Sequence, residues 1–428
     1  MKSNDTAIYD ARQLGVPKML ILGLQHMFAM FGATVLVPAL TGLSVSATLL
    51  FAGLGTLFFH LLTKMKVPAF LGSSFAFIGG YQAIAMVDGK VDSSLLPYAC
   101  FGVACAGLLY VLLSILFKVF GAKVVMRYFP PIVTGPVIIC IGLTLSKTAI
   151  DSCRTNWWIA LVAIVIVVVS NIWGKGMIRI IPILLGVVGS YLIAAVTGNV
   201  DFTTVAQADW IGLPFQMKDT LFGLFGRKDL DTSLLLTSAI TIMPLALATM
   251  VEHIGDMNYL EDPGFHRTLL GDGLATSLAS IFGAPANTTY GENTGVLALS
   301  RVYDPRVIRI AAGLAILFSF SPKFAALVSA MPTATMGGVS MVLYGMISAV
   351  GVRNVVENHV NFENSRNVII AALIMVLSIG INYSGSISFQ IGGANISFSG
   401  LAVGALVGIV LNAALPGKDY EFNESPNK

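Results

Sequence analysis

A few ionisable side chains sit well inside long apolar runs: His26, His60, Glu252, Asp256, Asp272 and Glu292, with no Lys or Arg among them. A charge at the centre of a hydrocarbon layer costs ~3 kcal/mol or more, so residues of this type in such a setting are candidates for chemistry. Glu252 and Asp256 are four apart, which puts both carboxylates on one face of a helix. Two like charges on a dry face cannot both stay ionised cheaply, so at least one is expected to take up and release a proton. The plain alternative is a solvated pair at the inner end of a span, and it applies to Asp256 more than to Glu252.

Glu292 lies in the run Asn287-Thr288-Thr289-Tyr290-Gly291-Glu292-Asn293-Thr294-Gly295, too polar for a structural core. Its alternative is an acid capping a short helix. A helix starting there leaves main-chain N–H groups free at a positive dipole end, at Tyr290 to Glu292, with a matching set around Phe75. Acids that accept and amides that donate suit a neutral ring whose N–H and carbonyl groups alternate along one edge, as in uracil. Phe75 or Tyr290 could border its flat face, and ordinary packing would explain either ring equally simply. Ser340 and Tyr344, four apart, could line the same space from another helix. His26, after Gln25, reads first as a helix-to-helix hydrogen bond and second as a proton relay. His60 and Asp272 match no specific pattern.

The elements that position these residues follow from composition. Of the 428 residues 56% are hydrophobic and 11% charged, and the mean hydropathy is +0.82. Soluble domains carry about a quarter charged residues, so lipid is the expected solvent for most of this chain. The net charge of +3 is spread over short loops and forms no nucleic-acid-binding face. Cys100, Cys105, Cys140 and Cys153 have neither metal-ligand nor disulfide spacing, and no metal or cofactor is expected. The amino terminus carries acidic Asp5 and Asp10 and no cleavage site, so the first span is expected to stay in the membrane.

Fourteen candidate spans begin near Met19, Val45, Pro68, Leu95, Val124, Trp157, Met177, Leu234, Thr268, Ala286, Val307, Pro332, Asn367 and Gly400. The third (Pro68–Val87) and tenth (Ala286–Ser300) are broken by Gly, Ser, Thr and Asn. Irregular backbone at membrane depth is tolerated only when buried by protein or lining a cavity. These two segments hold the same place in successive sets of seven, so an all-α 7+7 inverted repeat is expected, with the broken pair at a substrate site. With both termini cytoplasmic, most of the 25 Lys and Arg fall on the inner side, as in Lys64, Lys66, Lys118, Lys123, Lys175 and Arg301.

Gln25-His26 with Phe28 to Thr34, Pro68 to Phe75, Glu252-His253-Ile254-Gly255-Asp256 and Asn287 to Gly295 together resemble the nucleobase-ascorbate transporter family, nearly end to end, and within it the bacterial uracil branch. The resemblance implies proton symport of a nucleobase across the cytoplasmic membrane by alternating access. It implies short antiparallel strands in the broken segments. It implies a core domain of spans 1–4 (1–120) and 8–11 (234–325), and a gate domain of spans 5–7 (121–200) and 12–14 (326–416). An extracytoplasmic loop (201–233), a cytoplasmic tail (417–428) and a homodimer through the gate complete the expectation. Carried over by position, Glu252 and Glu292 hold uracil, the amides of Phe75 and Gly291 meet its carbonyls, and Ala33, Tyr290, Ser340 and Tyr344 border it. Proton coupling falls to Glu252, Asp256, Glu292 and His26.

The family signature after the second acid, Asn-x-Gly-x4-Thr, is present as Asn293, Gly295 and Ser300, with Ser for Thr. Asp256 stands where a relative has His, which shifts the group that takes the proton near Glu252. Glu before the Asn resembles uracil-type members, Gln purine-type ones. A xanthine or urate permease of the same family is therefore the first alternative, and an anion transporter of the same architecture the second, although the buried charges here are acidic. No G-x-x-x-x-G-K-[ST] run exists, so this chain carries no ATP-driven pump motor, and no nucleophile or metal constellation suggests an enzyme.

Overall fold

The computed structural model of the chain describes residues 7–87, 90–228, 230–257, 263–385, 387–391, 394–417 and 420, without the side chains at 177, 180, 255, 256, 292, 299, 389, 391 and 394–397. Within these residues the first half runs α1 (Val16–Thr41), α2 (Val45–Leu62), α3 (Ile78–Ala85), α4 (Leu96–Phe120), α5 (Pro131–Cys153), α6 (Trp157–Ile172) and α7 (Pro182–Val196). The second half runs α8 (halves Thr232–Ile242 and Leu245–Met257), α9 (Phe265–Ile281), α10 (Gly291–Ser300), α11 (Pro305–Ser319), α12 (Thr333–Glu357), α13 (Ser365–Ser384) and α14 (Gly400–Ala414). Among the described residues, seven helices are long and apolar enough to cross a bilayer alone, or eight if α11 and the helix Pro322–Ser329, bent 89° from it, form one broken span.

Prolines set several boundaries. The fifth span, expected from Val124, starts at Pro131, because Ala122–Met126 is a separate short helix and Pro130-Pro131 restarts the chain. Proline at the first helical position loses no hydrogen bond and is pre-set for the helical φ. The seventh span starts at Pro182 and not Met177. Met177–Ile180 forms its own turn, and Ile181, before the proline, leaves the helical region at φ −114°, ψ 42°. Pro244 has no N–H to donate, and α8 breaks beside it.

Helix contacts recur in pairs that exchange when seven is added to each helix number. α4 packs on α9 as α11 packs on α2; α6 on α7 as α13 on α14; α1 on α11 as α8 on α4; α12 on α6 as α5 on α13; and α1 on α7 as α8 on α14. The pairs α5–α12 and α2–α9 map onto themselves. Glycines let two of these crossings close. A Cβ at Gly351 of α12 would stand 2.6 Å from the Ile139 nitrogen of α5, and one at Gly107 of α4 would stand 2.6 Å from the Gly273 oxygen of α9. Small residues at such crossings allow the dispersion contact that replaces hydrophobic driving force in lipid.

At the centre, β1 (Leu71–Ser73) pairs antiparallel with β2 (Asn287–Thr289), Leu71 opposite Thr289 and Ser73 opposite Asn287. Fully buried side chains hold this crossing. Thr56 Oγ1 of α2 accepts from Leu71 N–H (2.9 Å), and Thr276 Oγ1 of α9 donates to Asn287 O (2.9 Å). His60 of α2 bonds Ala69 O through Nε2 (2.9 Å). These helices supply hydroxyl and imidazole partners because lipid supplies none. On the same end as the α10–α11 turn, the amino-terminal segment is clasped to it: Ile8 bridges Val302, Ala11 N–H donates to Asp304 Oδ2 (2.7 Å), and Arg306 reaches Asp10 (2.8 Å) and Asp304 (2.9 Å).

Candidate functional site

The two strands end at the same step. The last ladder bonds run from Ser74 N–H to Ala286 O (2.8 Å) and from Tyr290 N–H to Phe70 O (3.1 Å). The next residues, Phe75 and Gly291, open the helical segments, and a first-turn N–H has no partner within its own helix. Among the described residues no hydrogen bond engages either amide. Both residues line one cavity of about 630 Å³, with Glu252, Thr289, Tyr290 and Thr294 beside them. Two helix starts thus bring free donors to one space from opposite strands, each at a positive dipole end. A Cβ at Gly291 would meet nothing within 4 Å, so there is open space beside this residue.

Glu252 is half-buried on the second half of α8 and lines the cavity. Tyr290, 5% exposed, is fixed by its hydroxyl, which donates to Ser73 O (2.9 Å) and lies 3.4 Å from Thr34 Oγ1. The Phe75 ring meets Tyr344 edge-on with centroids 5.7 Å apart. Ala33, Ser340 and Tyr344 are buried and do not line the cavity. Phe75 lines the cavity and Tyr344, against it, does not. The cavity-lining residues of α12 begin at Leu343 and continue through Met346, Ile347 and Val350, and on α1 Ala29, a turn before Ala33, reaches the cavity. His26 is fully buried; Asn293 Nδ2 lies 3.2 Å from its Nδ1 and donates to its main-chain oxygen at 3.0 Å. It ties α1 to the half-helix α10 and is not among the cavity-lining residues. The side chains of Glu292 and Asp256 lie outside the described residues.

Sequence reasoning missed a buried pair behind the site. His253 Nδ1 of α8 lies 2.9 Å from Asp272 Oδ2 of α9, both side chains fully buried. Adjacency to Glu252 placed His253 on another face of α8, and Asp272 was the one acid on α9 with no expected role; pairing the two was the available signal. The cavity mouth, with Arg179, Arg353, Asn354 and Glu357, was also missed, since it joins the short helix before α7 to the end of α12, far apart in sequence. Among the described residues no cluster of three His, Cys, Asp or Glu could hold a metal ion.

A family model described as the permease family matches residues 17–386. The chain belongs to the permease family. The permease is 39% identical to the uracil permease of Bacillus subtilis strain 168 over 92% of this chain and 91% of that one. It is 40% identical to the uracil permease of Bacillus caldolyticus over 96% of each chain, and 36% identical to that of Escherichia coli K12 over 91% and 90%. Among solved structures it resembles the transmembrane domain of a cyanobacterial bicarbonate transporter, with TM-score 0.59 at 15% identity over 96% of this chain and all of that one. It also resembles SLC26A9, with TM-score 0.63 at 12% identity over 95% and 66%. At those identities the likeness is one of fold alone. A permease with this many apolar helices is a multi-pass membrane protein.

Proposed function

We propose that this permease imports uracil across the cytoplasmic membrane together with a proton. One observation carries the reading: the paired unengaged amides of Phe75 and Gly291, at the end of the strand crossing, beside the carboxyl of Glu252. Two donors opposite an acceptor complement the alternating carbonyl and N–H groups of a pyrimidine ring, and Phe75 and Tyr290 offer it apolar borders. Extended similarity to proteins named uracil permeases supports the pyrimidine over a purine.

Fourteen spans in an inverted 7+7 repeat account for the contact pairs that exchange on adding seven, and for the antiparallel strands at corresponding places. In this reading α1–α4 with α8–α11 form a core and α5–α7 with α12–α14 a gate, associating as a homodimer through the gate. The cavity between them opens toward Arg179, Arg353 and Glu357, at the end we assign to the cytoplasm from the cationic loops, so this geometry is inward-facing. Glu252 takes the proton: neutral, it can stay in the closed site with uracil, and deprotonation on the inner side releases both. Asp256 and Glu292 assist, and His26 holds α10 in place through Asn293.

The test is uptake into proteoliposomes under an imposed proton gradient. Glu252→Gln is expected to abolish uphill uracil accumulation, and accumulation at the wild-type level in that variant would refute the assignment.

A further inference from the structure

The cavity has two chemically distinct ends. Its deep end holds Glu252 and the free amides. Its mouth holds Arg353 of α12 and Arg179 of the short helix before α7, both exposed, with Asn171, Asn354, Asn358 and Tyr420 around them. Glu357 is the one acid there among the described residues, four residues after Arg353 on α12, so cationic groups outnumber acidic ones at the mouth. No hydrogen bond or ion pair engages either arginine among the described residues, whereas Asn354 Oδ1 is already held by Thr134 Oγ1 (3.3 Å). A neutral base fills only a small part of 630 Å³ and gives two guanidinium groups nothing to bind.

We propose that the mouth is a phosphate subsite, and that a nucleoside monophosphate of the transported base binds from the inner side with its base in the deep end and its phosphate on Arg179 and Arg353. This rests on the uracil reading of the deep end and extends it. Arginine suits a phosphate because its planar fork of donors matches the anion in bidentate geometry. Reach is adequate as well. Tyr344, in contact with Phe75, lies nine residues before Arg353, ~13 Å along the axis at 1.5 Å per residue. Helical side chains lean toward the amino terminus, here toward the deep end, which shortens the gap to one a ribose phosphate can span.

Such a ligand touches Phe75, before α3, and the start of α10 at one end and α12 and the α7 approach at the other. It binds only where both ends face one open cavity, and so draws the population into this geometry. The consequence is inhibition of uptake by the phosphorylated form of the imported base, with no separate regulatory domain.

The experiment is titration calorimetry on the purified full-length chain with uracil, uridine, uridine 5′-monophosphate, ribose 5-phosphate and inorganic phosphate. The monophosphate is expected to bind and to compete with uracil, uridine to bind at least ~10-fold more weakly, and the two baseless phosphates not to bind measurably. In R179Q/R353Q, checked by melting temperature, affinity for the monophosphate should fall at least ~10-fold and that for uracil should change less than about 2-fold; R179K/R353K should recover part of the loss. The proposal falls if the monophosphate fails to bind where uracil binds, if the double variant binds it as wild type does, or if inorganic phosphate binds as tightly. Arginine-dependent binding of the monophosphate with no binding of uracil would uphold the subsite and overturn the uracil reading instead.

Discussion

Gly72 lies in the strand crossing against the Tyr290 ring, which lines the cavity, and replacing it with Ala should be costly for a reason the geometry makes explicit. A Cβ there would fall inside the envelope of the Tyr290 ring and 2.9 Å from Thr34 Oγ1, against a normal separation of ~3.5–4.0 Å between carbon atoms. Forced overlap in a packed site costs about 1–3 kcal/mol. Displacing the ring also breaks the Tyr290 hydroxyl bond to Ser73 O and strands a buried carbonyl, about 1–3 kcal/mol more. Gly72→Ala should therefore cost about 2–6 kcal/mol locally, lowering the melting temperature in detergent and weakening uracil binding together. A double-mutant cycle isolates the cause. With Tyr290→Ala in place the ring is gone and only the rotatable Thr34 hydroxyl remains, so adding Gly72→Ala should cost under ~1 kcal/mol. Gly79→Ala is the control: an exposed glycine inside α3 with nothing within 4 Å of its Cβ, expected neutral or stabilising by up to ~1 kcal/mol. Wild-type melting and affinity for Gly72→Ala, or equal cost in both backgrounds, would show that the Tyr290 ring is not what the new methyl meets.

Further outcomes follow from other contacts. Arg366, buried at the start of α13, donates across to the end of α14 at Asn412 O (2.9 Å) and Asn412 Oδ1 (2.7 Å) and to Asn367 Oδ1 (3.2 Å); a lysine cannot fan out to them, so Arg366→Lys should destabilise by roughly 2–4 kcal/mol in thermal melts, and an unchanged melt would refute this role. Asp272→Ala leaves buried His253 unpaired and should cost about 3–5 kcal/mol, with the loss largely cancelled when His253 is also replaced; additive losses would argue against the pair. The Asp10 carboxyl is held at about 2 by its bonds to Arg12 and by the nearby charges of Arg12 and Arg306. Depressed below the usual 3.8, it contributes to the amino-terminal clasp above that value, and the contribution is lost as pH falls toward 2. Exchange of the Ile8 and Tyr303 amides should thus show no clasp-dependent change from pH 5 to 8, and should accelerate in Asp10→Asn; an equal rate in that variant would refute the clasp.

Sequence placed the broken segments well because their cause is local. Gly72 to Ser74 and Asn287 to Gly295 are too polar and too glycine-rich for a lipid-facing helix, and only an interior crossing satisfies their backbone. Glu252, singled out as an acid in an apolar run, lines the cavity. Positions set by tertiary geometry were less so. That the cavity lining takes in Phe75 and Leu343 and leaves out Ser340 and Tyr344 depends on how α12 packs against its neighbours, which helical periodicity alone cannot fix. Fold boundaries erred where two signals competed: Val124 and Met177 are apolar enough to begin spans, yet Pro131 and Pro182 decide the starts. The His253–Asp272 pair and the arginines at the mouth join residues distant in sequence, and periodicity says nothing about such meetings.

The most direct test of the site is a structure of the permease with uracil bound. The ring is expected between Phe75 and Tyr290, with its carbonyl oxygens within about 2.7–3.2 Å of the main-chain nitrogens of Phe75 and Gly291 and a ring N–H on the Glu252 carboxyl. Uracil bound elsewhere, or in this cavity without a bond to either amide, would rule that site out.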